Sequence, residues 1–180
     1  MSTVGSSVVD AFDHVFQRLA TRLGGLGDAE YFWEPVDGCW SLRQGADGRW
    51  RLDGADSDGA VPDPAPITTI AWRIGHVGGL GLAGFANWLF GDGALTPDAI
   101  EFPGRADDVA GFLDGHYQAW RAGLAALPEV AWEETLGPRW GPYAESNTLD
   151  LALHVLDELV HHGAEIALLR DLYAHHAVHP

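Results

Sequence analysis

The stretch from Thr148 to Tyr173, TLDLALHVLDELVHHGAEIALLRDLY, constrains this chain most. It holds no Pro and one Gly, so it reads as one long helix. With Glu158 as origin and about 100° per residue, Leu151, His154, Val155, His162, Glu165, Leu169 and Leu172 fall within roughly 60° of it. A core-facing stripe is apolar along its whole length. This one is apolar at both ends and carries His154, Glu158, His162 and Glu165 between them. Imidazoles and carboxylates at spacings of three and four on one helical face can hold a metal ion.

Glu158 and His162 are an i, i+4 pair, which places their heads one above the other. Two ligands from one helix leave a third to come from elsewhere. His76 is the candidate, because its helical neighbours Trp72, Gly79, Leu80 and Ala83 make an apolar side. The set would then be two His and one carboxylate, with positions open for water or substrate, suited to zinc, nickel, iron or manganese. The alternative is a hydrogen-bonded polar pair at the edge of the core. His161 is an alternative to His162, but i, i+4 aligns better than i, i+3. His154 and Glu165, one turn to either side, read as groups that orient the ligands or touch substrate, or as half-exposed residues at a cleft mouth. Trp72 joins them as a candidate substrate contact. His116 reads as a core or boundary histidine.

Composition limits the other readings. The chain has 180 residues, is 47% hydrophobic and contains eight Trp, which fits one folded domain over 1–180. A net charge of −16 and no basic cluster argue against nucleic-acid binding. No apolar run approaches the roughly 18 residues of a membrane span. The start, MSTVGSSVVDAF, lacks a basic and apolar signal segment, so a cytoplasmic location is expected. The lone Cys39 makes no intramolecular disulfide and no cysteine-rich metal site, and nothing beyond Arg43 nearby would activate it as a nucleophile.

Three more helices are expected. Ser6 to Leu23 shows one apolar face (Val8, Phe12, Val15, Phe16, Leu19, Leu23), with Ser6 or Ser7 as cap and His14 toward water. Ile67 to Phe90 starts near Thr68 or Thr69 and contains Gly75, Gly78, Gly79, Gly81 and Gly84. Each Gly costs roughly 1 kcal/mol relative to Ala inside a helix, so their number implies close approach by a backbone or ligand. Ala106 to Leu127 buries Val109, Phe112, Leu113, His116, Trp120, Leu124 and Leu127. Asn147 or Ser146 caps the last helix. Between the first two, Gln44 to Pro66 is rich in Gly, Asp and Pro and too polar for the core. A short hairpin around Trp50-Arg51-Leu52 or a lid over a site is expected there. Residues 174–180, with three of the nine His, read as a flexible tail. The simplest architecture is all-α, a four-helix bundle with its site in the interior. The back of the last helix, Leu153, Leu156, Val160, Gly163 and Ala167, is also apolar, so either loops cover it or it forms a homodimer interface.

Trp40-Ser41-Leu42, AWRIGHV around His76, FLDGHYQAWRAGLAAL on the third helix and HVLDELVHHGAEIALLRDLY on the last resemble the DinB-like superfamily, in particular its actinobacterial branch. The resemblance spans nearly the whole chain, and the last helix is its most specific part. It implies a four-helix fold and a divalent metal, zinc or nickel, held by one His of the second helix and an HxxxH pair of the last. Carried over, His76 and His162 match, and Glu158 stands where the family has the first His of that pair. Gln44–Pro66 is an insertion relative to the family pattern. Related proteins include the mycothiol-dependent maleylpyruvate isomerase. The resemblance therefore implies a metal-dependent transferase or isomerase in which a low-molecular-weight thiol attacks a small electrophile. Two other functions stand beside it: a metal-dependent hydrolase, and a non-catalytic dimeric protein that binds a small molecule without metal.

Overall fold

The computed structural model describes residues 3–55 and 62–178. Helix α1, Val4–Arg22, starts one turn earlier than its sequence suggests, because Thr3 and Ser6 form a reciprocal capping box. Each accepts the other's backbone N–H, which satisfies donors that the first turn leaves unpaired. Val8, Phe12, Val15 and Leu19 are buried along its inner face, and His14 is exposed.

A short helix α2, Asp28–Tyr31, leads into a two-stranded antiparallel hairpin, β1 Leu42–Gln44 and β2 Trp50–Leu52, with Leu42 opposite Leu52. This corrects the expectation that the whole connector is too polar for the core. Leu52 is 4% exposed and packs on Gly75, and the Trp50 indole lies directly on Gly104. Residues 56–61 of the connector lie outside the described residues. The Trp-Ser motif before β1 has a structural task. Trp40 N–H donates to Ile67 O, and Thr69 N–H donates to Trp40 O. The buried Ser41 and Thr69 hydroxyls are 2.9 Å apart, and Thr69 Oγ1 in turn accepts from Trp72 N–H. The motif thus fixes where the next helix starts and how it is rotated.

That helix runs through residues 70–90, but it is not the uniform α-helix its sequence suggests. It is α-helical over α3, Ile70–Ile74, π-helical over Gly75–Ala83, and α-helical again over α4, Gly84–Phe90. The glycines account for this. Gly gains least from α-helical geometry, so the segment yields readily to the wider i→i+5 turn. The same residues let neighbours come close. A Cβ on Gly75 would meet Leu52 at 2.9 Å, one on Gly78 would meet Phe112 at 2.5 Å, and one on Gly79 would meet Phe102 at 2.7 Å.

Helix α5, Ala106–Ala126, buries Val109, Leu113, Tyr117, Trp120 and Leu124. Tyr117, which the periodicity misses, stacks on Phe16 with centroids 3.8 Å apart and donates to Asp13 Oδ1. His116 is half-buried against the edge of Phe112, as a boundary histidine. Two 3₁₀ segments come next, Glu129–Glu133 and Pro138–Tyr143, and they bury Trp132 and Trp140.

Helix α6, Thr148–Val178, is capped by Asn147, whose Oδ1 accepts from Asp150 N–H while Asp150 Oδ2 accepts from Asn147 N–H. It continues as helix through 174–178, the stretch expected as a flexible tail; residues 179 and 180 lie outside the described residues. Its inner stripe buries Leu151, Val155, His162 and Leu169, whereas Leu172 is exposed. Its back is divided. Leu156 packs on the core, while Leu153 is 48% and Val160 37% exposed. The structure is mostly helical. α1 packs on α5 and α6, and the 70–90 helix packs against both of those as well. No helix among the described residues is long and apolar enough to cross a membrane.

Candidate metal centre

The site forms where α6 crosses the junction of α3 and the π segment. His76 is the second residue of that segment, and its orientation derives from the Trp40–Thr69 anchorage upstream. Trp72 stacks flat on the His76 ring, at 4.9 Å and 8° between planes, which restricts imidazole rotation. From α6, Glu158 and His162 project one turn apart. Glu158 Oε2 lies 3.1 Å from His76 Nε2 and 3.2 Å from His162 Nε2, so one carboxylate oxygen sits between two ring nitrogens. The two rings meet edge to face at 4.8 Å. One ligand atom from each of the three residues lies within 4.8 Å of the others.

His162 is held from its other side. Its Nδ1 lies 2.6 Å from Glu165 Oε2, and Glu165 pairs with Arg73, whose Nη1 is 2.9 Å from the same Nδ1. In the tautomer that donates Nδ1–H to Glu165, the Nε2 lone pair faces Glu158 and His76. A metal-ligating histidine typically donates its remote N–H to a carboxylate in this way.

The protonation states suit an ion. Burial lowers the pKa of His76 against the opposing pull of Glu158, so its ring is neutral at pH 7. Burial pushes the Glu158 carboxyl up, but the hydrogen bond to His76 and the nearby histidines outweigh it and hold the group below its ordinary value. Burial likewise lowers the Arg73 guanidinium, with Glu165 opposing, and it stays charged. Neutral imidazole and ionised carboxylate are the forms that bind metal. The donor set of two imidazoles and one carboxylate fits a divalent metal ion.

The other sequence candidates are placed differently. His161 is exposed and lies 3.2 Å from Glu165 Oε1; it groups with His162 and Glu165 rather than with His76 and Glu158. His154 sits one turn before Glu158 with its Nε2 3.0 Å from the Tyr143 hydroxyl. Both line a cavity of about 280 Å³ that also takes in His76, Leu80, Phe85 and Glu158. Glu165, read from sequence more as a half-exposed residue at a cleft mouth than as a group that orients a ligand, is tied behind His162. Arg73 and Tyr143 escape the sequence reading. Arg73 lies three residues before His76, but its partners His162 and Glu165 are on another helix. Tyr143 stands in an irregular Gly-Pro segment with no periodicity to mark it.

The arrangement defines a class: a helical protein with a His–Glu–His cluster of which His76 and Glu158 line a cavity. The chain belongs to the DinB superfamily, whose family model matches residues 11–166. That span includes all three cluster residues and ends before the last turns of α6. No curated protein and no solved structure matches the chain.

Proposed function

We propose that the chain is a four-helix bundle of the DinB type and a metal-dependent enzyme, with His76, Glu158 and His162 holding one divalent ion, zinc or nickel. The observation that carries this reading is the convergence of three ligand atoms within 4.8 Å, two of them from His76 and Glu158, which line a cavity. A bound ion of this kind lowers the pKa of a thiol or water and supplies a nucleophile at neutral pH. The leading chemistry is attack by a low-molecular-weight thiol, mycothiol or a similar one, on a small electrophile, in keeping with the family.

The chain's own residues divide the remaining work. Trp72, Glu165 and Arg73 orient the two imidazoles. His154, tied to Tyr143 inside the cavity, is placed to take a proton from the thiol and return one to the product. Glu165 is engaged by Arg73 and His162 and does not line the cavity, so it is poorly placed as a base for hydrolysis.

Elemental analysis of protein purified without a histidine tag tests the site. Close to one equivalent of zinc or nickel is expected, and most of it should be lost in Glu158→Ala and in His162→Ala. A wild-type protein that is folded but takes up no metal sinks the reading. Turnover of an electrophile that is indifferent to added thiol would remove thiol transfer and leave water as the nucleophile.

A further inference from the structure

A second, larger cleft of about 400 Å³ adjoins the metal cavity, and the two share Leu80, Phe85 and Tyr143. Its character is different. Phe85 and Trp140 present parallel faces, 7° apart in plane with centroids separated by 6.5 Å, and Trp88 closes on Trp140 at 5.6 Å. These are flat apolar surfaces of the kind that hold planar ligands in small-molecule sites. Among the described residues, Arg139 is the one charged side chain lining this cleft. Its guanidinium lies over Trp140, 5.8 Å from the ring centroid, and donates to Trp88 O. That bond uses one of five N–H donors. In a chain of net charge −16, an exposed cation over the Trp140 face at the edge of an aromatic cleft is a selective feature.

Phe85 and Tyr143 join the two spaces. The Phe85 ring lies near Trp140 on the cleft side and meets His154 edge to face at 5.8 Å on the other. We propose that the cleft takes the planar aromatic body of a monoanionic substrate, with its carboxylate on Arg139 and its reacting end directed past Phe85 and Tyr143 toward His76 and Glu158. This assignment of substrate class rests on the metal reading of the adjoining site for its reacting end, but not for binding in the cleft. No proton or bond is moved by the cleft itself.

Gly84 provides the test. It lines the cleft, and a Cβ there would meet only Gly79 O at 3.6 Å, an ordinary contact. The backbone therefore accepts a Cβ, and a longer side chain built on it enters the ligand space. Titration calorimetry and tryptophan quenching with naphthoate, and with naphthamide as its neutral counterpart, read the outcome. Wild type should bind naphthoate about tenfold more tightly than naphthamide, the worth of one charge-assisted hydrogen bond. Gly84→Leu should weaken both by about tenfold or more through loss of the space they occupy. Arg139→Gln should bring the two ligands to near-equal affinity while naphthamide binding is kept. Absence of saturable naphthoate binding to wild type overturns the proposal. So does unchanged binding to a Gly84→Leu protein of native helicity. Metal content is measured on the same samples. Gly84-dependent binding without metal retains the cleft and removes the metal reading; stoichiometric metal without naphthoate binding does the reverse.

Discussion

His162 is the residue on which most of the site depends, since it is 9% exposed and touched on both ring nitrogens. Its Nδ1 partner, Glu165, is predicted to act through it as a positioning group. Glu165→Gln keeps the shape and removes the charge. Metal affinity, read by competition with a chromophoric chelator, should fall about 10- to 100-fold while the helical signal is unchanged. Unchanged affinity would make Glu165 an ordinary ion-pair partner of Arg73. The pair Glu158–His162 is legible in sequence because both residues lie on one helix, where spacing alone dictates proximity. His76 is reachable through its apolar surroundings and the family resemblance. Arg73 is not, because its partners His162 and Glu165 are far away in sequence, and only tertiary packing brings a guanidinium behind the ligand ring. Tyr143 is illegible for a related reason: nothing periodic marks residues 138–143, whose path bends at Gly141 with a φ of 53°.

At the scale of elements, the four long helical stretches can be read from apolar periodicity, and their boundaries shift where caps do. Thr3, rather than Ser6 or Ser7, caps α1 because the Thr3–Ser6 pair satisfies two backbone donors reciprocally. The π segment cannot be read, since glycines carry no side chain to reveal a departure from the 3.6-residue period. Their close packing is itself testable. Gly78→Ala would put a Cβ 2.5 Å from Phe112, and should cost about 1–3 kcal/mol in urea unfolding through overpacking. Gly115→Ala, at an exposed position of α5 with nothing within 4 Å, should instead gain up to about 1 kcal/mol. Equal effects at the two positions would mean that propensity, not contact, put glycine in the 75–83 segment. The hairpin shows the same limit from the other side. Its strands are marked in the sequence, but Leu52's burial depends on the missing side chain of Gly75.

For the whole molecule, pH is a sensitive variable. Burial lowers the pKa of His76 and His116 below 6.5, so the folded state resists protons that the unfolded chain accepts. Stability should therefore be full above about pH 7 and decline as pH falls through 6.5. In chelator-treated protein the urea midpoint should drop between pH 7 and pH 5, and the drop should shrink in His116→Asn. An equal drop in that variant would exonerate His116. At lower pH a second loss is expected. The hydrogen bond from Arg121, helped by Tyr117, holds Asp13 below 3.8 against burial, so its contribution is present above 3.8 and disappears as pH falls through its folded value.

The π segment has one more consequence, and it concerns phase. α6 is an unbroken helix, so Glu158 and His162 keep a fixed pitch. Opposite it, the 75–83 turns set the angle between His76 at one end and Phe85 and Trp88 just beyond the other. Each residue of an α-helix rotates the residues after it by about 100°, and each residue of the wider π turn by less. Deleting Gly81 changes that angle and turns Leu82 and the aromatic residues after it relative to His76, which stays anchored through Thr69. Such a deletion should keep its metal and lose naphthoate. The helix thus works as a gear with one tooth count, coupling where a substrate lies to where it reacts.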